Sequence, residues 1–378
     1  MTTKLLSCLI YYITKNFEVM GNKHVAICNR FVINVLFTIA LFGCSNNNNK
    51  TEKYQKNRDS SIINVKNRII GLPDILPVRF CTNIKIINDV LIIMDSKADR
   101  KGVFVYDKKT FKHITTTGFL GNGPGEIVRY GNIVPIEHEN AFYLPDFGKC
   151  VITKFCIDSI LTNALYKPVQ VQKFGRHNFA TNLEMLDDSI FLGIAVAIAE
   201  NHTFRKYLVN YNIKNNEMKK FGYHHPQSDS NDRKKTYFRF KIIPRNNTYV
   251  KCYSKLDLMT ICDLNGNLKY NIYGPGWNKN KDNKKSYFTH KVDIYNEYII
   301  TTYLGKSDIV FDKYKRPHGV SPTKFIVFNL DGDYLKTIET NHNITNWCVD
   351  ENNKRIIAYF DDSDIEFGYF NIDFLDKL

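Results

Sequence analysis

Two carboxylates that face each other across a cleft can hydrolyse a glycosidic bond, one as acid, the other as base or nucleophile. Glu184 and Asp293 are the candidates here, because both fall near strands expected to line a central cleft. Their positions in the chain do not establish that they converge. No Ser-x-Asp-x-Gly-x-x-Trp box and no Gly-x-Ser-x-Gly elbow accompanies them. Gly121-Asn122-Gly123-Pro124-Gly125-Glu126 has the glycine content of a phosphate cradle. A cradle needs free backbone amides and a helix behind it, however, and Pro124 removes an amide where no helical pattern follows. The segment therefore reads as a turn between structural units. His224 and His225 are adjacent, so on a strand they would point to opposite faces, and no Cys-x-x-Cys is present. Neither a metal site nor a cofactor is expected.

Six cysteines follow residue 44, at 81, 150, 156, 252, 262 and 348. Cys150 and Cys156 share one expected strand and would lie roughly 20 Å apart, too far to bond. Cys252 and Cys262 flank a hairpin centred near Asp257. They are either a facing pair able to form a disulfide or two small buried side chains. For binding, the candidates sit in the longest insertions, 223–235, 273–285 and 305–322. These hold Trp277, Lys279, Lys281, Arg233 and Arg316. An aromatic platform beside cations suits an acidic glycan or peptide.

The elements that must position these residues are strands. Six times an apolar segment runs into Asp or Asn: Tyr106-Asp107, Ile157-Asp158, Tyr211-Asn212, Cys262-Asp263, Phe328-Asn329 and Phe370-Asn371. The intervals are roughly 40 to 65 residues, the order of a propeller blade. Such a residue at a strand end hydrogen-bonds its own backbone two residues on and starts a turn. With 23 Tyr and 26 Phe the chain is suited to pleated, half-buried surfaces, and no stretch keeps a helical period. The expectation is an all-β, six-bladed β-propeller spanning 62–378. The sixth unit ends at the C-terminus one strand short. Ile62–Ile70 is expected to supply the missing strand and close the ring.

Residues 31–43 form an apolar run too short for a comfortable span of about 20 residues, preceded by Lys23 and Arg30 and closed by Gly43. That is the layout of an export signal, here 1–43, with Met20 a more ordinary start. Leu41-Phe42-Gly43-Cys44 resembles a bacterial lipobox, which implies that Cys44 is lipidated and that acyl chains hold the protein to a membrane. Ser45 after the cysteine resembles signals sorted to the outer membrane, with the periplasmic or surface face left open. Residues 45–61 are polar and read as a flexible tether. The formal charge of +14 suits an anionic partner or a solvated lysine coat. With an export signal, nucleic acid is not the expected partner.

The lipobox, the six units and Gly121-Asn122-Gly123-Pro124-Gly125-Glu126 together resemble the TolB-like six-bladed β-propeller lipoproteins of Gram-negative bacteria. Tyr273-Gly274-Pro275 and Phe325–Asp333 are weaker likenesses. The resemblance implies the propeller and the membrane anchor. It carries no catalytic residue, because the family is largely of unknown function. The reading is a lipid-anchored, non-catalytic binding or scaffold module of the cell envelope, its ligand a glycan or an envelope protein. The alternative is an envelope glycan hydrolase with its site at the channel mouth.

Overall fold

Four-stranded antiparallel sheets, built mostly from strands that follow one another in the chain, succeed one another around an axis and make a six-bladed β-propeller. The computed structural model describes residues 51–378 apart from 164, 176–178, 199–203, 230–232, 280–283 and 362–363. The inner strands of blades one to six are Cys81–Ile87, Val134–Ile136, Thr181–Met185, Phe238–Ile243, Lys285–Tyr295 and Ile344–Asp350. Second and third strands are the most apolar. Val90–Asp95 and Thr248–Tyr253 are buried along their whole length, as strands covered on both faces must be. The core lies between blades. Trp347 of blade six, for example, is fully buried against Phe325 of blade five, ring centroids 5.0 Å apart.

The recurring Asp and Asn stand where third strands end. Asp107, Asn212 and Asp263 each accept the amide two residues on, at 3.0, 2.9 and 3.0 Å. The second unit departs from the pattern. Its third strand stops at Cys156, and Asp158 falls in a six-residue α-helix, Ile157–Thr162, the one α-helix among the described residues. Ile157 and Ile160 tuck into the core there, an anchoring that two apolar positions did not announce.

The N-terminal segment departs further from expectation. Residues 51–61 were read as tether, yet Glu52–Tyr54 adds a parallel strand to the outer edge of blade four, beside Leu268–Tyr273. Ile62–Asn64, expected in the last blade, instead pairs in parallel with Tyr334–Glu339 of blade five. Only Ile70–Gly71 reaches blade six, where it lies antiparallel to Phe367–Asn371 and completes the sheet. Residues 51–71 thus form a strap across three neighbouring blades, and it covers edge amides and carbonyls that would otherwise be open to pairing. Arg58 fastens it. Arg58 Nη1 meets Asp257 Oδ1 at 2.7 Å, both side chains buried, and the guanidinium lies 5.2 to 5.3 Å from the rings of Phe328, Phe288 and Tyr303. Asp257 also accepts from the Gly276 amide at 2.7 Å and the Tyr303 hydroxyl at 3.0 Å. A polar composition predicted disorder. Long-range hydrogen bonds and one buried ion pair override it.

Candidate functional site

The channel along the axis is walled by the inner strands, whose alternation turns polar side chains inward. In Phe238–Ile243, Phe238, Phe240 and Ile242 are buried between blades while Arg239 and Lys241 are half-buried on the other face. Inner strands of blades one, three and six also break register near their starts, between Cys81 and Asn83, Thr181 and Glu184, and Ile344 and Asn346, and that of blade five breaks in its middle, between Thr289 and Val292. Such bulges re-aim side chains. In blade five the bulge puts His290 at φ 55 and delivers Lys291 and Asp293 to the axis.

Glu184 and Asp293 do converge, but on lysine. Lys241 Nζ lies 3.5 Å from Glu184 Oε1 and 3.7 Å from Asp293 Oδ1. Lys291 Nζ adds a contact of 3.2 Å to Asp293 Oδ2 and donates to the Trp347 carbonyl at 2.9 Å. Glu184 Oε2 accepts the Ile242 amide at 3.0 Å. Burial works to raise the Asp293 pKa, but Lys291, Lys241 and Lys85 outweigh it and hold the carboxyl well below the usual carboxylate range. Burial would lower the Lys241 pKa, and Glu184 and Asp293 hold it above the ordinary lysine range instead. A glycosidase acid needs the opposite, a carboxyl kept protonated near neutrality. The arrangement suits charge storage better than proton donation.

Three insertions rise on the face where the inner strands begin, since 223–235 and 273–285 lead into inner strands and 305–322 follows the antiparallel Tyr298–Ser307. The first two meet. Pro226, Gln227 and Lys235 from one, and Gly276 and Trp277 from the other, wall a cavity of about 490 Å³ closed by Lys255 and Asp257. Trp277 is half-buried, its ring centroid 4.5 Å from Tyr273 and 5.6 Å from His225, edge-on to the latter. Lys279 is exposed and outside this wall. Arg316 lies apart, on the small hairpin Ile309–Phe311 and Pro317–Gly319, bound to Asp312 at 2.8 Å. The Arg233 side chain and Lys281 lie outside the described residues, as do Cys44 and the signal segment. The sequence reading missed Lys235 and Lys255. Nothing local marks them, and only the meeting of two loops brings them to Trp277.

His225 faces the protein interior. It is buried, with Nε2 3.0 Å from the Tyr273 hydroxyl. Tyr273 in turn donates to Glu52 of the strap. No group of three or more metal-ligating side chains occurs among the described residues. The possible disulfide is absent, for a reason of register. Cys252 pairs with Met259 and Cys262 with Tyr249, and both thiols are free and buried. Gly121–Glu126 connects blades one and two. The Gly123 amide donates to Glu126 Oε2 at 2.8 Å, and Lys149 Nζ binds the Gly123 and Glu126 carbonyls at 2.7 and 2.6 Å. Gly121 has φ 151, and a Cβ there would stand 2.1 Å from Glu126 Oε2, so the glycine makes room for its own motif's carboxylate.

Six blades, a closing strand from the chain start and a charged axial channel define a six-bladed β-propeller. The profile of the family described as TolB-like 6-blade propeller-like matches residues 59–352, and the chain belongs to that family. Among solved structures, it is similar to a member of the DUF4221 family from Bacteroides vulgatus. Identity is 9%, TM-score 0.55, and the match covers 80% of this chain and 96% of that one. A putative exported protein from Bacteroides fragilis is also similar, at 11% identity and TM-score 0.51, covering 82% and 87%. At such identity these likenesses show the fold alone. No curated protein matches the chain.

Proposed function

We propose that this propeller is a non-catalytic binding module of the cell envelope, held at the outer membrane by a lipidated Cys44 and taking an acidic glycan on the face that carries its insertions. The observation that carries the ligand reading is the meeting of two insertions around Trp277. A half-buried indole in a cavity of about 490 Å³, with Lys235 and Lys255 at its wall, offers a stacking face beside ammonium groups. The Lys255 ammonium is shared with Asp308 at 2.9 Å, which leaves Lys235 as the more available cation. The anchor reading rests on Leu41-Phe42-Gly43-Cys44.

The hydrolase reading draws on the convergence of Glu184 and Asp293, and the lysine between them, with Asp293 held ionised, argues against it. Two measurements test the proposal. Palmitate labelling of cells is expected in wild type and absent in Cys44→Ala; unlabelled wild type refutes the anchor. On an array of neutral and acidic glycans, the wild-type chain is expected to retain acidic members, and Trp277→Ala is expected to lose them. A blank array, or retention unchanged in Trp277→Ala, refutes the ligand reading and points to a protein scaffold.

A further inference from the structure

The channel holds more positive than negative charge, and the excess is localised. At its waist, Lys241 and Lys291 take up the carboxylates of Glu184 and Asp293. The side chain of Lys85, on the inner strand of blade one, makes no hydrogen bond and no ion pair in the structure. It lines both channel cavities, about 530 Å³ where the inner strands end and about 330 Å³ where they begin, and so stands at the waist between them. Arg239 opens on the smaller cavity too. Its Nε donates to the His290 carbonyl at 2.8 Å and its Nη1 to the Phe238 carbonyl at 3.4 Å, and no carboxylate neutralises it. Four asparagines line the same cavity; Asn132 and Asn346 spend their side-chain amides on the Leu183, Cys81 and Trp347 backbones, and Asn83 and Asn182 keep theirs unbonded. Two unneutralised cations and two open amides in a half-enclosed space form a wall that lacks its counter-charge.

The geometry points to an oxyanion site at the waist of the channel, in which Lys85 and Arg239 hold a carboxylate, sulfate or phosphate group and Asn83 and Asn182 bind hydroxyls of the small molecule or chain end that carries it. At about 330 Å³ the cavity has room for one acidic sugar unit or a molecule of similar size. The site shares no lining residue with the Trp277 cavity, so it stands or falls separately from the function proposed above.

Binding there is coupled to protons. Burial, then Lys291 and Lys241, push the Lys85 ammonium down to about 7. The groups facing it are Cys81 from its own strand, Lys241 and Arg239 from blade four, Lys291, Asp293 and His290 from blade five, Glu184 from blade three, Cys348 from blade six and, at the rim of the larger cavity, Glu137, Lys108, Arg245, Asp350 and Glu351. An oxyanion beside Lys85 favours its charged form, so binding takes up a proton near neutrality and weakens as pH rises.

The test is isothermal titration of the full chain in detergent with glucuronate, inorganic sulfate and inorganic phosphate, with glucose as neutral control. The expected result is saturable one-to-one binding of at least one oxyanion and none of glucose, tighter at about pH 6 than at about pH 9. Proton uptake should appear when buffers of different ionisation heat are compared. Binding of glucuronate alone marks an acidic sugar; equal binding of sulfate or phosphate marks a free inorganic anion. Lys85→Gln and Arg239→Gln should each weaken binding about tenfold or more, the effect of losing one charge-assisted hydrogen bond. Retained thermal unfolding of both variants guards against loss of fold. Absence of saturable binding by all three probes at both pH values, or affinity unchanged in Lys85→Gln, overturns the site.

Discussion

Replacing Arg58 by Met keeps an apolar stem against Phe288, Tyr303 and Phe328 but removes the charge that faces Asp257. Asp257 is then buried as an unpaired carboxylate, with only the Gly276 amide and the Tyr303 hydroxyl to support it. Breaking a buried pair from one side costs about 3–5 kcal/mol. A folded body of roughly 300 residues unfolds with an entropy of about 0.6 kcal/mol per kelvin, from about 2.1 cal/mol/K per residue. The expected fall in Tm is therefore about 5–8 °C, by calorimetry on the full chain in detergent at neutral pH. The loss is local as well. Amide exchange should accelerate at Asn271, whose N–H donates to the Thr51 carbonyl at 2.7 Å, and at Gln55 and Val65, which bind the Tyr273 and Glu339 carbonyls at 2.8 Å. Blade one, which the strap does not cross, should exchange as before. Adding Asp257→Asn to Arg58→Met removes the stranded charge and should restore part of the loss. A fall in Tm under about 2 °C, or a double variant as unstable as the two single losses added together, would show that the ion pair does not fasten the strap.

Two further outcomes follow from channel and core electrostatics. The folded chain releases the Lys85 proton at about 7, whereas the unfolded chain releases it near an ordinary lysine value of about 10.4. The penalty on folding is thus complete below about 7, shrinks between the two values and vanishes above both. Lys85→Met should raise Tm at about pH 6 and leave it nearly unchanged at about pH 11; an equal gain at both would show that charge is not the cause. Burial raises the thiols of Cys81, Cys252, Cys262 and Cys348, those of Cys252 and Cys348 to about 12. Peptide mapping after alkylation of the native chain should find Cys150 and Cys156, the half-buried pair, modified and these four untouched until unfolding. Alkylation of Cys252 or Cys348 in native protein would contradict the packing between blades.

The second and third strands of the blades were legible because they are continuous apolar runs ended by Asp or Asn. Ile190–Ile198 and Arg355–Phe360 lie where the pattern puts them. Inner strands were harder to read. Their alternate positions carry Lys85, Glu184, Arg239, Lys241, Lys291 and Asp293, and bulges interrupt the period of two, so in one dimension they look like loops. The candidate channel site is built almost wholly on those strands. Glu184 and Asp293 were visible as carboxylates, but the lysine between them was not, because Lys241 comes from a third blade.

What the sequence determined by itself is repetition: apolar runs, turn residues at their ends, and a chain one strand short at its C-terminus, which together require a closed ring of sheets. Tertiary structure alone decided where residues 51–64 go. Residues 51–64 are polar or short of apolar contacts, and nothing within them prefers a strand. Their conformation comes from the open edges of blades four and five and from the Asp257 carboxylate, partners roughly 200 to 280 residues away in the chain. The charge of the channel is decided in the same way, because each side chain's state depends on neighbours that only the closed ring brings to the axis.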